Sequence, residues 1–210
     1  MPIIFPNIEK SDKDGLLAIS RKITPDYILS AYKSGIFPWP CAEKHILWFA
    51  PPTRAILSFD KLIISKRLRR HLNNKKYKFK VNTAFQDVIK NCATVDRPEQ
   101  VGTWITSKII DAYIELHKAG FAYSFEIFSL NDQLIGGLYG VKLNNYFAGE
   151  SMFHLESNAS KFALFETVEF LKKDGSTWMD VQVTNPFLEC FGVEKISRKT
   201  FMHMLNEELK

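Results

Sequence analysis

Asp180 and Gln182 are the two polar residues of a segment that otherwise has the composition of a buried strand. The segment is Met179-Asp180-Val181-Gln182-Val183. Because successive side chains of a strand point to opposite faces, the spacing predicts that the carboxyl and the amide project from the same face. A buried polar pair must be hydrogen-bonded within the protein or to a ligand, and the spacing supports both roles equally.

A second strand-like segment carries an acid and a hydroxyl. In Gly149-Glu150-Ser151-Met152-Phe153 the polar residues lie between apolar ones, and Asn158-Ala159-Ser160-Lys161 follows soon after. The segment is not the nucleophile elbow of a serine hydrolase. It lacks the second glycine of G-x-S-x-G, and a strand and a turn are expected after Ser151 instead of an immediate helix.

Tryptophan is the third residue type with chemical potential, because its ring can stack on a base. Trp39, Trp48 and Phe49 lie in the amino-terminal region, and Trp104 follows at a distance. Isolated tryptophans belong to a core more often than to a ligand platform, so both interpretations stay open.

Positive charge is concentrated in one stretch of the chain. Between Lys61 and Gln86 there are nine basic residues and no acid, so the rest of the chain has a net charge of −4 against the overall +5. Such a strip suits a polyanion, since each Lys or Arg that neutralises a phosphate releases a counterion. The alternative is a solvated helix face beside a strand edge protected by lysines. The pattern indicates an anion without saying which one.

Composition and cysteine spacing exclude several classes of protein. With 46% hydrophobic and 24% charged residues among 210, the chain is neither disordered nor of low complexity. Cys41, Cys92 and Cys190 are far apart and show no CxxC or Cys/His spacing. We therefore expect neither a disulfide framework nor a zinc site, and the cysteines favour a reducing compartment.

The amino terminus lacks the basic and long apolar regions of a signal peptide, and Pro2 and Pro6 interrupt it. Nowhere do about 18 apolar residues run together, the least needed to cross a bilayer. These features predict a soluble cytoplasmic protein without a membrane partner.

Start and stop signals divide the chain into elements of an α+β fold. Thr24 as N-cap and Pro25 at the first helical position begin a helix that Gly35 ends. Asn158 and Ser197 are expected to cap two later helices. We predict helices at 65–72, 84–92, 107–118, 159–172 and 198–208, and strands at 78–81, 122–128, 133–141, 146–153 and 178–183.

A series of short motifs runs in order through nearly the whole chain. They are Gly15-Leu16-Leu17-Ala18, the stretches 31–39 and 48–54, Trp104-Ile105, Ala112-Tyr113 with Leu116-His117 and Gly120, the stretches 136–141, 149–153 and 158–161, and Asp180 with Gln182. In this combination the sequence resembles the bacterial leucyl/phenylalanyl-tRNA–protein transferases. It departs from the family pattern at Ser20-Arg21, Phe49-Ala50 and 187–192.

The resemblance implies an architecture and a reaction. A small aromatic-rich α/β domain, residues 1–60, precedes a GNAT-like acyltransferase domain with a mixed, largely antiparallel sheet, residues 61–210. The implied reaction moves Leu or Phe, and less well Met, from aminoacyl-tRNA to the N-terminal Lys or Arg of an acceptor protein, which marks it for N-end rule degradation. Because the donor is an activated ester, neither a cofactor nor a metal is expected. The expected state is a monomer.

The resemblance also implies residue roles. Asp180 accepts a hydrogen bond from the attacking amine, directly or through Gln182, as a base or as an orienting charge. The expected substrate-binding residues are Leu138, Phe147, Met152 and Met179 around the aminoacyl side chain, Glu150 and Ser151 beside them, and Trp48 and Trp104 on the terminal adenosine. The expected phosphate contacts are Lys66, Arg67, Arg69, Arg70, Lys75 and Lys76.

Two other functions compete with this one. An acetyl-CoA-dependent GNAT acetyltransferase would share the fold class, but its pyrophosphate-binding loop is glycine-rich and residues 155–160 contain no glycine. A non-enzymatic RNA-binding module explains the basic strip and the tryptophans, yet gives no reason for Asp180, Gln182 and Glu150 in strands.

Overall fold

The computed structural model describes residues 3–39, 45–74, 76–95 and 103–210. The strands are β1 (Leu16–Ser20), β2 (Phe37–Trp39), β3 (Ile46–Phe49), β4 (Thr53–Ser58), β5 (Lys78–Val81), β6 (Ala122–Phe128), β7 (Leu134–Leu143), β8 (Tyr146–His154), β9 (Trp178–Gln182) and β10 (Glu194–Ser197). The helices are α1 (Pro25–Lys33), α2 (Lys66–Asn73), α3 (Phe85–Thr94), α4 (Ser107–Lys118), α5 (Ala159–Lys173), α6 (Pro186–Glu189) and α7 (Arg198–Glu208). The expected α+β fold is confirmed.

The strands form two sheets of unequal size. A three-stranded sheet has the order β1-β3-β2, and a seven-stranded sheet has the order β10-β4-β9-β8-β7-β6-β5. Within the larger sheet β8 and β9 are parallel, and the other neighbouring pairs are antiparallel. The parallel pair needs a long crossover, which α5 supplies. The predicted mixed, largely antiparallel sheet is therefore present.

Helices cover both faces of the larger sheet. Alternate residues of β7 enter different cores: Tyr139 and Val141 pack with α1, α3, α4 and α7, whereas Leu138 packs with α2 and α5. The period-two alternation of a strand explains how one strand serves two cores. None of the described helices is both long and apolar enough to cross a membrane.

Two of the three side-chain caps that the sequence predicts are present. Thr24 accepts a hydrogen bond from the Tyr27 N–H, and Ser197 accepts one from the Thr200 N–H, as predicted. Asn158 also precedes its helix, but its φ of 70° places it in the left-handed region and its side chain makes no capping bond. The expected side-chain cap at Asn158 is therefore wrong.

The division of the chain near residue 60 stays a prediction, but β4 belongs with the larger sheet. It pairs with β9 on one side and β10 on the other. β4 was not among the predicted strands, and its residues fall within the predicted amino-terminal domain. The pairing partners lie more than a hundred residues away in the chain, so no local pattern could reveal them.

Close packing between β7 and α5 fixes the start of this helix. A Cβ on Gly136 would lie 2.6 Å from Ala159 Cβ and 2.9 Å from the Ala159 carbonyl carbon. Backbone atoms cannot rotate away as a side chain can, so α5 approaches the sheet this closely only over a glycine.

Replacing Gly136 by Ala should therefore destabilise the protein by about 1–3 kcal/mol, the usual cost of overpacking. Gly137→Ala is the matched control, because its Cβ would meet neighbours at 3.1 Å, a milder contact. Urea unfolding measures both. A Gly136 variant as stable as the Gly137 variant would contradict the close approach of α5.

Candidate functional site

The candidate site is a cavity between β8 and β9. These parallel strands pair at one position, Ala148 with Asp180. A cavity of about 830 Å³ lies between them, in the size range of small-molecule sites. The β8 and β9 residues that line it are Gly149, Glu150, Ser151, Met152, Phe153, His154, Met179, Val181 and Gln182. Its remaining walls include Phe37, Trp39, Trp104, Leu138, Ser160, Leu164, Phe187 and Leu188.

A β-bulge places Glu150 at this cavity. Tyr139 pairs with Ser151 and Gly140 pairs with Gly149, so Glu150 is the extra residue of β8 without an opposite partner on β7. A bulge bends its strand and redirects a side chain. A Cβ on Gly140 would lie 2.2 Å from the Ala148 carbonyl oxygen, so this irregular pairing requires a glycine.

Glu150 is the acid of the cavity whose proton affinity is altered most clearly. Burial raises its pKa to about 7, although Tyr32 and Tyr113 both donate hydrogen bonds that favour the carboxylate. The Tyr113 hydroxyl lies 3.1 Å from Oε2, and the Tyr32 hydroxyl makes a short bond to Oε1. The Gln182 amide nitrogen lies 3.4 Å from the same Oε1. Glu150 can therefore gain or lose a proton near neutral pH.

Asp180 lies behind the cavity and is fully buried. Arg54 donates to both carboxylate oxygens, from Nε at 2.9 Å and from Nη2 at 2.7 Å. The Tyr146 hydroxyl donates at 2.5 Å, and the main-chain N–H of Gln182 donates at 2.8 Å. These four bonds occupy the carboxylate, and Asp180 is not among the residues that line the cavity. Direct contact between Asp180 and an attacking amine does not fit this arrangement.

Arg54 is also surrounded by partners. Its Nη1 donates to the Gly35 carbonyl oxygen at 3.1 Å, and its guanidinium carbon lies 4.3 Å from the Phe37 ring centre and 4.6 Å from that of Phe201. Burial alone would lower the pKa of Arg54, but the Asp180 carboxylate reverses this and raises the pKa above its ordinary value. The pair is therefore a fixed unit, with the guanidinium held on both carboxylate oxygens.

Gln182 joins this buried unit to the cavity. Its φ is 57°, in the left-handed region that few residues other than glycine adopt. The main-chain bond to Asp180 stabilises that conformation, and the side chain reaches Glu150. The sequence predicts that Asp180 and Gln182 project from the same face of the strand, and these contacts agree. Tyr146, which bonds to Asp180, and the two tyrosines that bond to Glu150 belong to one core cluster. Met179, the neighbour of Asp180 in the strand, packs in the other core cluster.

Six of the eight predicted substrate-binding residues line the cavity: Trp104, Leu138, Glu150, Ser151, Met152 and Met179. Trp48 does not. It is fully buried, its ring packs against Phe5 and Tyr27, and its Nε1 donates to Ser20 Oγ at 2.9 Å. No face of the ring is open to a base, so a stacking role for Trp48 does not fit the structure.

Phe147 is the second residue that the structure places away from the cavity. It is fully buried and packs edge-to-face on Phe125, with the ring centres 5.5 Å apart. It supports the wall that contains Leu138 and Met179, because all three belong to one core cluster. No role was predicted from the sequence for Arg54, Tyr32 or Tyr113. All three lie within motifs of the resemblance, which is the one signal that could have revealed them.

The predicted phosphate-binding residues lie on α2 and after it. Lys66, Arg67, Arg69, Arg70 and Lys76 are exposed, and none of them forms an ion pair with another described residue. Leu68 and Leu72 anchor the opposite side of α2 in the core. Lys75 lies outside the described residues.

In the part of the chain that is described, no group of three or more His, Cys, Asp or Glu side chains could hold a metal ion.

The fold and the site define an α+β enzyme with a cavity that combines a titratable acid and an apolar wall. The crystal structure of FemX shares the fold, with a TM-score of 0.50 and 11% identity over 85% of this chain and 70% of FemX. The sequence model of the leucyl/phenylalanyl-tRNA protein transferases matches residues 56–206, and the model of their N-terminal domain matches 21–52.

Curated relatives agree with the family match over the whole length. Leucyl/phenylalanyl-tRNA–protein transferases from Maridesulfovibrio salexigens and Flavobacterium johnsoniae are 44% and 45% identical to this chain and cover 99% and 98% of it. The matched regions are 86% and 97% of those relatives. The relative from Legionella pneumophila is 45% identical over 98% of this chain and 91% of its own length. The chain belongs to this family and is an aminoacyltransferase.

The raised pKa of Glu150 predicts a dependence of stability on pH. The native state holds this proton up to about pH 7, whereas the ordinary pKa of a Glu side chain is 4.5. The free energy of unfolding therefore falls as pH rises from about 4.5 to 7, by at most about 1.4 kcal/mol per pH unit. Glu150→Gln should lack this slope, and Glu115→Gln, at an exposed site, should keep it. Urea unfolding across this pH range compares them; parallel curves for wild type and Glu150→Gln would exclude the assignment.

Proposed function

We propose that this protein transfers Leu or Phe, and less well Met, from aminoacyl-tRNA to the N-terminal Lys or Arg of acceptor proteins. The product is marked for N-end rule degradation in the cytoplasm, where aminoacyl-tRNA is available. The domain that holds the cavity is GNAT-like in this proposal. The observation that carries it is one cavity that joins an apolar wall to Glu150 and Gln182, in a chain of the aminoacyltransferase family.

The reaction needs little chemical help from the protein. The acceptor α-amine attacks the ester carbonyl, the C–N bond forms, the C–O bond to the ribose breaks, and the amine proton leaves while the ribose hydroxyl gains one. An α-amino group has a pKa near 7.7–8.0, so part of it is neutral at physiological pH. Positioning and stabilisation of the tetrahedral intermediate then supply most of the catalysis.

Glu150 and Gln182 are the groups that touch the reacting amine in this proposal. A carboxylate with a pKa of about 7 can accept a proton from an amine at neutral pH. The positive charge of an N-terminal Lys or Arg favours the ionised form of Glu150, so the acceptor itself promotes the carboxylate. Asp180 acts through Gln182 as a positioning residue, since it holds the Gln182 main chain and does not line the cavity.

The cavity walls match an apolar aminoacyl side chain. Leu138, Met152 and Met179 provide the wall beside Glu150. A hydrophobic pocket separates neighbouring apolar side chains by only about 1–3 kcal/mol, so one pocket accepts Leu, Phe and Met. Flexible methionine side chains adapt to ligands of different shape.

The donor tRNA is held by aromatic and cationic groups. Trp104 lines the cavity and is the proposed stacking surface for the terminal adenosine, and Trp39 takes the place first assigned to Trp48. The exposed cations of α2 are proposed to contact acceptor-stem phosphates.

A single assay tests the proposed reaction. The protein is incubated with radiolabelled leucyl-tRNA or radiolabelled acetyl-CoA and with peptides that begin with Lys, Arg or Glu. We expect leucine to be transferred to the Lys and Arg peptides alone. Transfer from acetyl-CoA would favour an acetyltransferase, and tRNA binding without transfer would favour a binding module.

Gln182→Ala should lower leucine transfer by about 10²-fold or more, the range for lost positioned acid–base help. Gln133→Ala, in an exposed turn, is the matched control and should transfer leucine at the wild-type rate. Initial rates with leucyl-tRNA and an Arg-initiated peptide compare the variants. A Gln182 variant with near-wild-type turnover would remove this side chain from the mechanism.

Reversal of charge at Arg67, Arg69 and Arg70 should weaken tRNA binding and reduce the slope of log affinity against log salt by about two to three units. Reversal at Lys172 and Lys173, which are exposed in the last turn of α5, is the control. Filter binding over a range of salt concentrations measures the slope. If the α2 variant keeps the wild-type slope, the phosphates bind elsewhere.

A further inference from the structure

The segment Asn158-Ala159-Ser160-Lys161 stands out in the sequence but has no role in the site described so far. It forms the N-cap and the first turn of α5, the helix that connects β8 to β9. Ser160 and Leu164, both on this helix, line the cavity that contains Glu150. The start of α5 is therefore part of the cavity wall.

Ser160 is buried without a hydrogen-bond partner inside the protein. It is 5% exposed and lines the cavity. Its hydroxyl makes no hydrogen bond with another described residue, and its oxygen faces the cavity instead of being fully enclosed by protein. A polar group with so little exposure is normally hydrogen-bonded, so this hydroxyl is available to a ligand group at the cavity wall.

The backbone at the same place also has unused donors. The Ala159 N–H donates to the Glu156 carbonyl, and the Phe162 N–H donates to the Asn158 carbonyl. For the N–H groups of Ser160 and Lys161, which lie between them, the described residues offer no acceptor. The side chain of Asn158 does not cap the helix either. The start of this 15-residue helix therefore presents two free N–H donors and the positive end of its dipole.

Charge and rigidity at this turn favour an anion. Lys161 is partly buried and forms no ion pair with any described residue. Ala159 lies against Gly136, which holds the turn in place on the sheet. A fixed helix start with free N–H groups, a hydroxyl and a lysine has the donors that phosphate oxygens accept.

We propose that the first turn of α5 binds a phosphate, and that this phosphate is the one on the 5′ oxygen of the terminal adenosine of aminoacyl-tRNA. The proposal rests on the proposed function, because the nucleoside must occupy the same cavity. Coenzyme A would bring the same chemistry, but the glycine-free loop 155–160 that precedes the helix disfavours its pyrophosphate. The tRNA source is therefore the one that the structure favours.

Calorimetry with two small donor analogues tests the site on the full protein. The analogues are 3′-leucylamido-3′-deoxyadenosine and its 5′-monophosphate, in which a stable amide replaces the ester. The 5′-phosphate should tighten binding by about 10-fold or more, the range for charge-assisted hydrogen bonds. Titration with coenzyme A is the third arm and should show weaker binding than the monophosphate.

Ser160→Asp places a negative charge at the site and should abolish the gain from the phosphate, which is read as the ratio of the affinities of this variant for the two analogues. Ser107→Asp is the matched control. It introduces the same residue into the first turn of α4, at an exposed position outside the cavity wall, and should keep the full gain. Ser160→Ala removes only the hydroxyl and should reduce the gain by about 3-fold; it decides the test if Ser160→Asp fails to fold.

The outcomes separate this proposal from the one on which it rests. Equal wild-type affinities for the two analogues, or a full phosphate gain in both Ser160 variants, would overturn the phosphate site and leave the transferase proposal intact. Tighter binding of coenzyme A would reassign the source of the phosphate. If neither analogue binds, the proposed function fails together with the site.

Discussion

The buried ion pair between Arg54 and Asp180 is the interaction on which the rest of the structure depends. It connects β4 to β9, and its outer bonds reach Gly35 after α1, Tyr146 at the start of β8 and Phe201 on α7. Two charges in a core are tolerated only when their geometry is good and their remaining hydrogen bonds are satisfied. Both conditions hold here. Loss of either partner would leave a buried charge without compensation at the point where five parts of the chain meet.

Two carboxyl groups near the same cavity thus have opposite environments. Asp180 has a guanidinium, a hydroxyl and an N–H around it, whereas Glu150 has two tyrosine hydroxyls and no direct cationic partner among the described residues. The Asp180 carboxyl is held in a bidentate ion pair, whereas burial raises the pKa of Glu150. Groups with altered proton affinity in a cavity are typical of functional sites. Gln182 contacts both carboxyl groups. The rigid Arg54–Asp180 pair holds the Gln182 main chain and so determines where the Gln182 amide meets Glu150.

Local patterns predicted most elements, but not the contacts that create the site. The predicted bounds of α4, α7, β5 and β6 agree with the structure, and α4 and α7 each bury one side of a helical repeat. The strands β4 and β10 were not predicted, and their pairing partners are distant in the sequence or in an unpredicted strand. The sequence placed Trp48 on the ligand because tryptophan can stack, yet packing against Phe5 and Tyr27 decides its position. The β-bulge at Glu150 and the left-handed backbone of Gln182 depend on contacts between distant parts of the chain. The spacing of residues in the sequence does not reveal such contacts.

The place of β4 in the larger sheet also has a consequence for how the chain acquires its structure during synthesis. The meander β6-β7-β8 and its neighbour β5 are close in the sequence and can pair as soon as they leave the ribosome. β4 must wait, because β9 and β10 lie at the other end of the chain. Non-local pairing of this kind slows folding and leaves strand edges exposed in the meantime. A nascent chain truncated before β9 thus lacks Asp180, and the cavity is completed only after β9 has been synthesised.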